Sequence, residues 1–220
     1  FLTQVPVHKV ILTMAVPTII SMLITSLYNI ADTFFVGQLD TQSIAAVGVS
    51  FSVMFFIQAV SFFFGNGSGN YISRELGARN IDSARTMAST GFFLALLCGL
   101  VITLAGLFTL EPLSVWLGST PTILPYTKEY LSIIFLGAPF VTTSLCLNNQ
   151  MRFQGNARFA AWGIVSGAVL NVLLDPLFIF VFDMGVAGAA LATVMGQAIS
   201  LAILLVMSHH SNTLSVNFRN

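Results

Sequence analysis

Six apolar stretches, each long enough to cross a bilayer as a helix, leave this chain few folds to choose from. They lie near residues 10–36, 44–72, 86–110, 126–150, 159–182 and 186–208, and a helix spanning the hydrocarbon needs about 20 mostly apolar residues. Lipid offers the backbone no hydrogen-bonding partner, so runs of this length pair their own N–H and C=O groups within a helix. Charged residues make up only 7% of the chain, against roughly 25% in a soluble domain. The expected fold class is therefore an all-α membrane protein, with one six-helix transmembrane lobe occupying residues 1–220.

Basic residues orient the spans, because cytoplasmic loops retain Lys and Arg. With the N-terminus inside, Lys9, Arg74, Arg79, Arg85, Arg152, Arg158 and Arg219 fall on the cytoplasmic side, and only Lys128 falls outside. Both termini are thus expected in the cytoplasm, with the chain multi-pass in the plasma (inner) membrane. The first apolar segment is long enough to span and shows no small-residue cleavage site, so it reads as a span rather than a signal peptide. Net charge is zero, and with no basic tract the chain has no footprint for nucleic acid. The connections read as short loops: GQLDTQS with turn chemistry at Gly37 and Asp40, EPLSVWLGSTPTILPY with three prolines, DMG before the last span, and the polar SRELGARNIDSAR on the inner side.

Within the apolar stretches stand two carboxylic acids, Asp32 and Asp175, with no Lys or Arg near either in sequence. A charged Asp at the bilayer centre costs on the order of 3 kcal/mol, so such residues face a protein interior and mark an ion or proton pathway. Polar residues gather around them. Tyr28 precedes Asp32 by four positions and Asn171 precedes Asp175 by four, so each pair shares a helix face. Thr193 lies in the sixth stretch and Asn148 ends the fourth. Oxygen donors of this kind hydrogen-bond a protonated Asp or wrap a small hard cation; Asp32, Asp175 and Asn171 are the candidate Na⁺ ligands. The competing reading is polar glue between helices. Pro17, Pro139 and Pro176 fall inside spans, where each removes a backbone hydrogen bond and bends or breaks the helix. Pro17 precedes Asp32 by fifteen residues, about four turns, which makes it a candidate hinge, and Pro176 directly follows Asp175.

Other features carry less. Cys98 and Cys146 sit inside spans and belong to no CxxC or Cys/His cluster, and His8, His209 and His210 lie at the membrane edge or in the tail. The segment GNGSGN, residues 65–70, lacks the Lys of a phosphate-binding loop and fails GxGxxG at Asn70; close helix packing explains it better. The run FSVMFFIQAVSFFF lines a hydrophobic cavity or faces lipid. A short echo, DTFFVGQLD at 32–40 against DPLFIFVFD at 175–183, raises the idea of an internal repeat.

The segments running from Pro17 through NIADTFFVG, then GARNIDSA, QMRFQGNAR, NVLLDPLFIF and GVAGAALAT, resemble the N-terminal six-helix lobe of the multidrug and toxic compound extrusion (MATE) transporters over nearly the whole chain. That resemblance implies one lobe of a twelve-helix transporter with drug bound between two lobes. It places Asp32, Asn171, Asp175, Thr193, Asn148 and Tyr28 on a cation- or proton-binding network and Pro17 on a bending proline of the first helix. It also implies a partner, a second six-helix lobe in the same full-length protein or in a partner chain.

Three function classes follow. The first is a secondary antiporter, not an enzyme, that exports amphipathic, often cationic organic compounds in exchange for H⁺ or Na⁺, with no cofactor beyond that coupling ion. The second is a lipid-linked precursor flippase, whose cavity needs cationic residues to meet phosphates; the spans supply no Lys or Arg. The third, an intramembrane aspartyl protease, needs Tyr-Asp and Gly-x-Gly-Asp, whereas Ala31 precedes Asp32 and Leu173-Leu174 precede Asp175.

Overall fold

A computed structural model of the chain describes residues 4–210. It contains α1 (Val7–Gly37), α2 (Thr41–Gly77), α3 (Ile81–Phe108), α4 (Leu110–Trp116), α5 (Leu124–Phe153), α6 (Ala157–Pro176) continued by a π-helical turn (Leu177–Val181), and α7 (Val186–His210). Six of these, all but α4, are long and apolar enough to cross a membrane. No strand occurs among the described residues. Arg219 lies outside them, as does the side chain of His210.

The helices overrun the expected spans because nothing in the flanking residues stops them. α2 continues to Gly77, so the polar segment expected as an inner loop is mostly helix, and the connection to α3 shrinks to Ala78, Arg79 and Asn80. Arg79 takes the left-handed conformation (φ 62°), and the Asn80 N–H reaches the Glu75 carbonyl at 2.8 Å, the bond that closes a helix C-terminus. Gly155 (φ 89°) and the Asn156 N–H to Met151 O bond of 3.0 Å build the same turn between α5 and α6. The proline-bearing outer connection also departs from the loop reading, since it holds α4. Leu110, Leu113 and Leu117 pack against the core from one face of that helix, and Pro112 sits in its first turn, where no N–H is needed.

α5 is the central element. It packs on α2, α3 and α7, and its buried residues run from Thr127 to Met151. Small residues let the helices approach. A Cβ on Gly65 would stand 2.9 Å from the Asn149 side chain, one on Gly69 would enter the Phe153 ring, and one on Gly99 would stand 2.7 Å from the Pro139 backbone. GNGSGN therefore lies inside α2 as a packing face. Phe55, Phe56 and Phe63 of the aromatic run point outward, while Phe62 lines an internal cavity. α1 stands at the periphery against α6 and buries Ser21, Asp32 and Val36.

Each interior proline has a different outcome. α1 continues through Pro17, with the Ser21 hydroxyl donating to the Pro17 carbonyl at 2.8 Å. Pro139 lies against Gly99 of α3, and the Thr143 hydroxyl donates to its carbonyl at 2.6 Å. After Pro176 the helix widens, the Phe182 N–H bonding Leu177 O at 3.0 Å. A π-turn of this kind commonly marks a functional segment.

The echo does not extend to the backbone: Asp40 is extended and caps α2 by accepting the Ser43 N–H at 2.6 Å, whereas Asp183 is left-handed (φ 53°). Lys128, the lone basic residue expected outside, pairs with Glu111 of α4 at 3.3 Å. Cys146 is buried and its thiol faces the Gly91 carbonyl; Cys98 is half-buried. His8 is exposed.

Candidate functional site

The two acids meet. Asp32 on α1 and Asp175 at the end of α6 lie side by side, because α1 packs along α6 and both side chains turn into the protein. Asp175 is fully buried and Asp32 is 8% exposed. Neither Asp175 oxygen, nor Oδ1 of Asp32, has a hydrogen-bond donor among the described residues. Buried carboxyl oxygens normally have partners, and a carboxylate taken out of water without one is costly. One proton between the two groups, or one small cation against both, removes that cost.

Asn171 stands one turn before Asp175 on the same face. Its amide nitrogen donates to Thr193 Oγ1 on α7 at 3.2 Å, and the Thr193 hydroxyl donates in turn to the Ala189 carbonyl at 3.1 Å. This chain fixes the amide, leaving Asn171 Oδ1 buried without a donor. Four buried oxygens lacking donors thus belong to three residues, Asp32, Asp175 and Asn171, an acceptor set suited to a hard cation. Tyr28 stands one turn before Asp32 and lies close enough to both acids to feel their charge.

Asn148 does not join this group. Its amide nitrogen donates to the Ala160 carbonyl at 2.7 Å and its Oδ1 accepts from Arg152 at 2.9 Å. Ala160 precedes Asp175 by fifteen positions on α6, about 22 Å along a helix axis. Asn148 therefore ties α5 to the start of α6, far from the acids. Pro17 also lies apart from the pair, four turns along α1.

Two residues that the sequence did not single out belong to the site region. Tyr130 of α5 is fully buried and lies close enough to both acids and Tyr28 to feel their charge; its hydroxyl donates to the Met54 sulfur at 3.5 Å, a weak acceptor. Its place in TKEYLS reads as the wet end of a span, which hides it. Arg152, expected in a cytoplasmic connection, is instead in the last turn of α5, and its side chain reaches a cavity of about 390 Å³. That cavity runs between α1, α2, α5, α6 and α7. Tyr28, Asn171 and Thr193 line it toward the acids, and Asn148 and Arg152 line its opposite end.

Membrane-crossing helices around a buried carboxyl pair, with a polar-ended cavity alongside, describe one lobe of a membrane transporter. The comparisons with known proteins agree. The MatE family model matches residues 17–177, and the chain belongs to that family of transporters. It is 32% identical over 97% of its length to a multidrug export protein of Staphylococcus aureus, MepA, and covers 48% of that protein. Among solved structures it superimposes with a TM-score of 0.89 and 30% identity on MATE in a bent conformation, covering 97% of this chain and 48% of the other. The match to MATE in a straight conformation has the same TM-score and identity, covering 96% and 47%. The chain thus spans about half the length of the curated relatives it matches. With six crossing helices and these relatives, it is a multi-pass protein of the plasma membrane.

Proposed function

We propose that this chain is the coupling lobe of a secondary antiporter that exports amphipathic organic cations and drugs in exchange for H⁺ or Na⁺, working with a second six-helix lobe of the same full-length protein or of a partner chain. The observation that carries the reading is the placing of Asp32 and Asp175 side by side and buried, with three of their oxygens lacking a donor among the described residues. A pair built only to hold helices together would bring its own donors; this one leaves room for an exchangeable cation. A proton suits the two carboxyls alone, whereas Na⁺ also uses Asn171 Oδ1. Export is supported by the MepA likeness. Both termini lie in the cytoplasm in this reading, which puts the acids in the outer half of the lobe.

The test is drug efflux from vesicles containing the full-length protein, with the pH gradient and the Na⁺ gradient imposed separately. Asp32→Asn and Asp175→Asn are each expected to insert normally and to lose gradient-driven efflux. Asn171→Ala separates the ions, since it weakens Na⁺-driven exchange more than H⁺-driven exchange. Near-normal efflux from both Asp variants would falsify the assignment.

A further inference from the structure

The end of the 390 Å³ cavity that holds Arg152 is chemically unlike the end toward the acids. Arg152 is the sole Lys or Arg among the residues lining it, and no Asp or Glu lines it. The ion pair found among the described residues joins Lys128 to Glu111 on the outer face, so no carboxylate of the described residues pairs with Arg152. Its position is nonetheless fixed. The Ala160 carbonyl orients the Asn148 amide, and that amide's oxygen accepts one guanidinium N–H at 2.9 Å. A guanidinium carries five N–H donors in a planar fork, so most remain available to a ligand. Half-buried without a counter-charge, it carries a desolvation cost that an anion would relieve.

We propose that this end of the cavity is an oxyanion subsite, in which Arg152 forms a two-point pair with a carboxylate or phosphate group of an amphipathic ligand. Leu145, Ile164, Gly167 and Ala168 line the space between, an apolar passage for the ligand's body. From the level of Ala160 to Asn171 is eleven positions, about 16 Å along α6. A ligand anchored at Arg152 therefore extends toward Tyr28 and Asn171, and compounds with an acidic end fit as well as simple cations. The ligand's route rests on the export reading, but the test does not, because it reads binding alone.

The experiment uses the full-length protein in phosphatidylcholine nanodiscs and two probes, a fluorescent amphiphile ending in a carboxylate and its methyl ester. Arg152→Gln is expected to weaken the carboxylate probe about tenfold or more, as for loss of a charged hydrogen bond, while the ester stays within twofold. Arg152→Lys, which keeps the charge and loses the fork, falls between. Should the Gln variant fail to fold, the Lys variant still decides, since it too must weaken the carboxylate selectively. Equal losses for both probes, which a packing role would cause, or no loss for either, overturns the subsite. Repeating the titration in phosphatidylglycerol nanodiscs identifies the source of the anion. Weaker carboxylate binding there in wild type but not in Arg152→Gln means that a lipid phosphate occupies the same subsite; unchanged binding means that it serves the compound.

Discussion

Gly167 and Gly196 form a reciprocal contact one turn from the Asn171–Thr193 bond, and it sets the spacing on which that bond depends. A Cβ on Gly167 would stand 2.8 Å from the Gly196 carbonyl oxygen, and one on Gly196 would stand 2.9 Å from the Gly167 carbonyl, where ordinary contact begins at 3.4 Å. Both neighbours are backbone, so no rotamer change relieves the clash. Gly167→Ala must push α6 and α7 apart by about 0.6 Å. The Asn171 to Thr193 hydrogen bond, now 3.2 Å, would then lengthen to about 3.8 Å, beyond what counts as a hydrogen bond. Overpacking costs about 1–3 kcal/mol, and the lost buried bond adds about 1 kcal/mol. We expect a destabilised full-length protein whose coupled efflux falls with it, although the alanine touches neither acid. Gly67→Ala is the control: a Cβ there meets nothing within 4 Å, and Ala is the better helix former by about 1 kcal/mol. Denaturation in detergent and gradient-driven efflux in vesicles measure the two effects. A Gly167→Ala protein indistinguishable from Gly67→Ala in both assays refutes the spacing argument.

Tyr130→Phe keeps the ring and removes the buried hydroxyl near the acids, so assembly should survive while coupled efflux drops several-fold; wild-type efflux would leave Tyr130 a packing residue. Asp40→Ala removes the cap of α2 and should cost about 1 kcal/mol, read by denaturation. The Ser43 hydrogen bonds hold the Asp40 carboxyl below its ordinary pKa, so its contribution is present above the unfolded value, about 3.9, and is lost as pH falls through the lower folded one; Asp40→Asn should keep the cap and lose that pH dependence. Pro17→Ala restores a backbone donor in α1 and should slow turnover more than it weakens drug binding. Spin-label distances from the outer part of α1 to α7 at low and high pH check it, since an unchanged shift in the variant removes the hinge.

The end of the site that holds the acids was legible because polar residues in lipid must face inward, and helical spacing then decides which share a face: Tyr28 with Asp32, Asn171 with Asp175. Depth was harder to read. Asn148 satisfies the same polar rule, yet the offset between α5 and α6 places it against Ala160, and no one-dimensional pattern carries that offset. Arg152 and Tyr130 were missed for the converse reason, since each sits where a span meets polar sequence and only the overrun of α5 brings it inside. The connections were misread where helix ran on, at Ser73–Gly77 and at α4.

The same packing explains why the acids matter to α1 in particular. A helix of 31 residues that buries Ser21, Asp32 and Val36 gains little from hydrophobic contact within this lobe, so a buried carboxyl pair weighs heavily in where it rests. Under the proposed coupling, a proton or cation on the pair would draw α1 onto α6; left charged, two neighbouring carboxylates repel, and the helix holding Asp32 is the lightly packed one, with Pro17 leaving one turn without a backbone donor. Asp175, by contrast, is fully buried on a helix wedged between α1 and α7, so the proposed coupling would express a change in charge as movement of α1 rather than of α6.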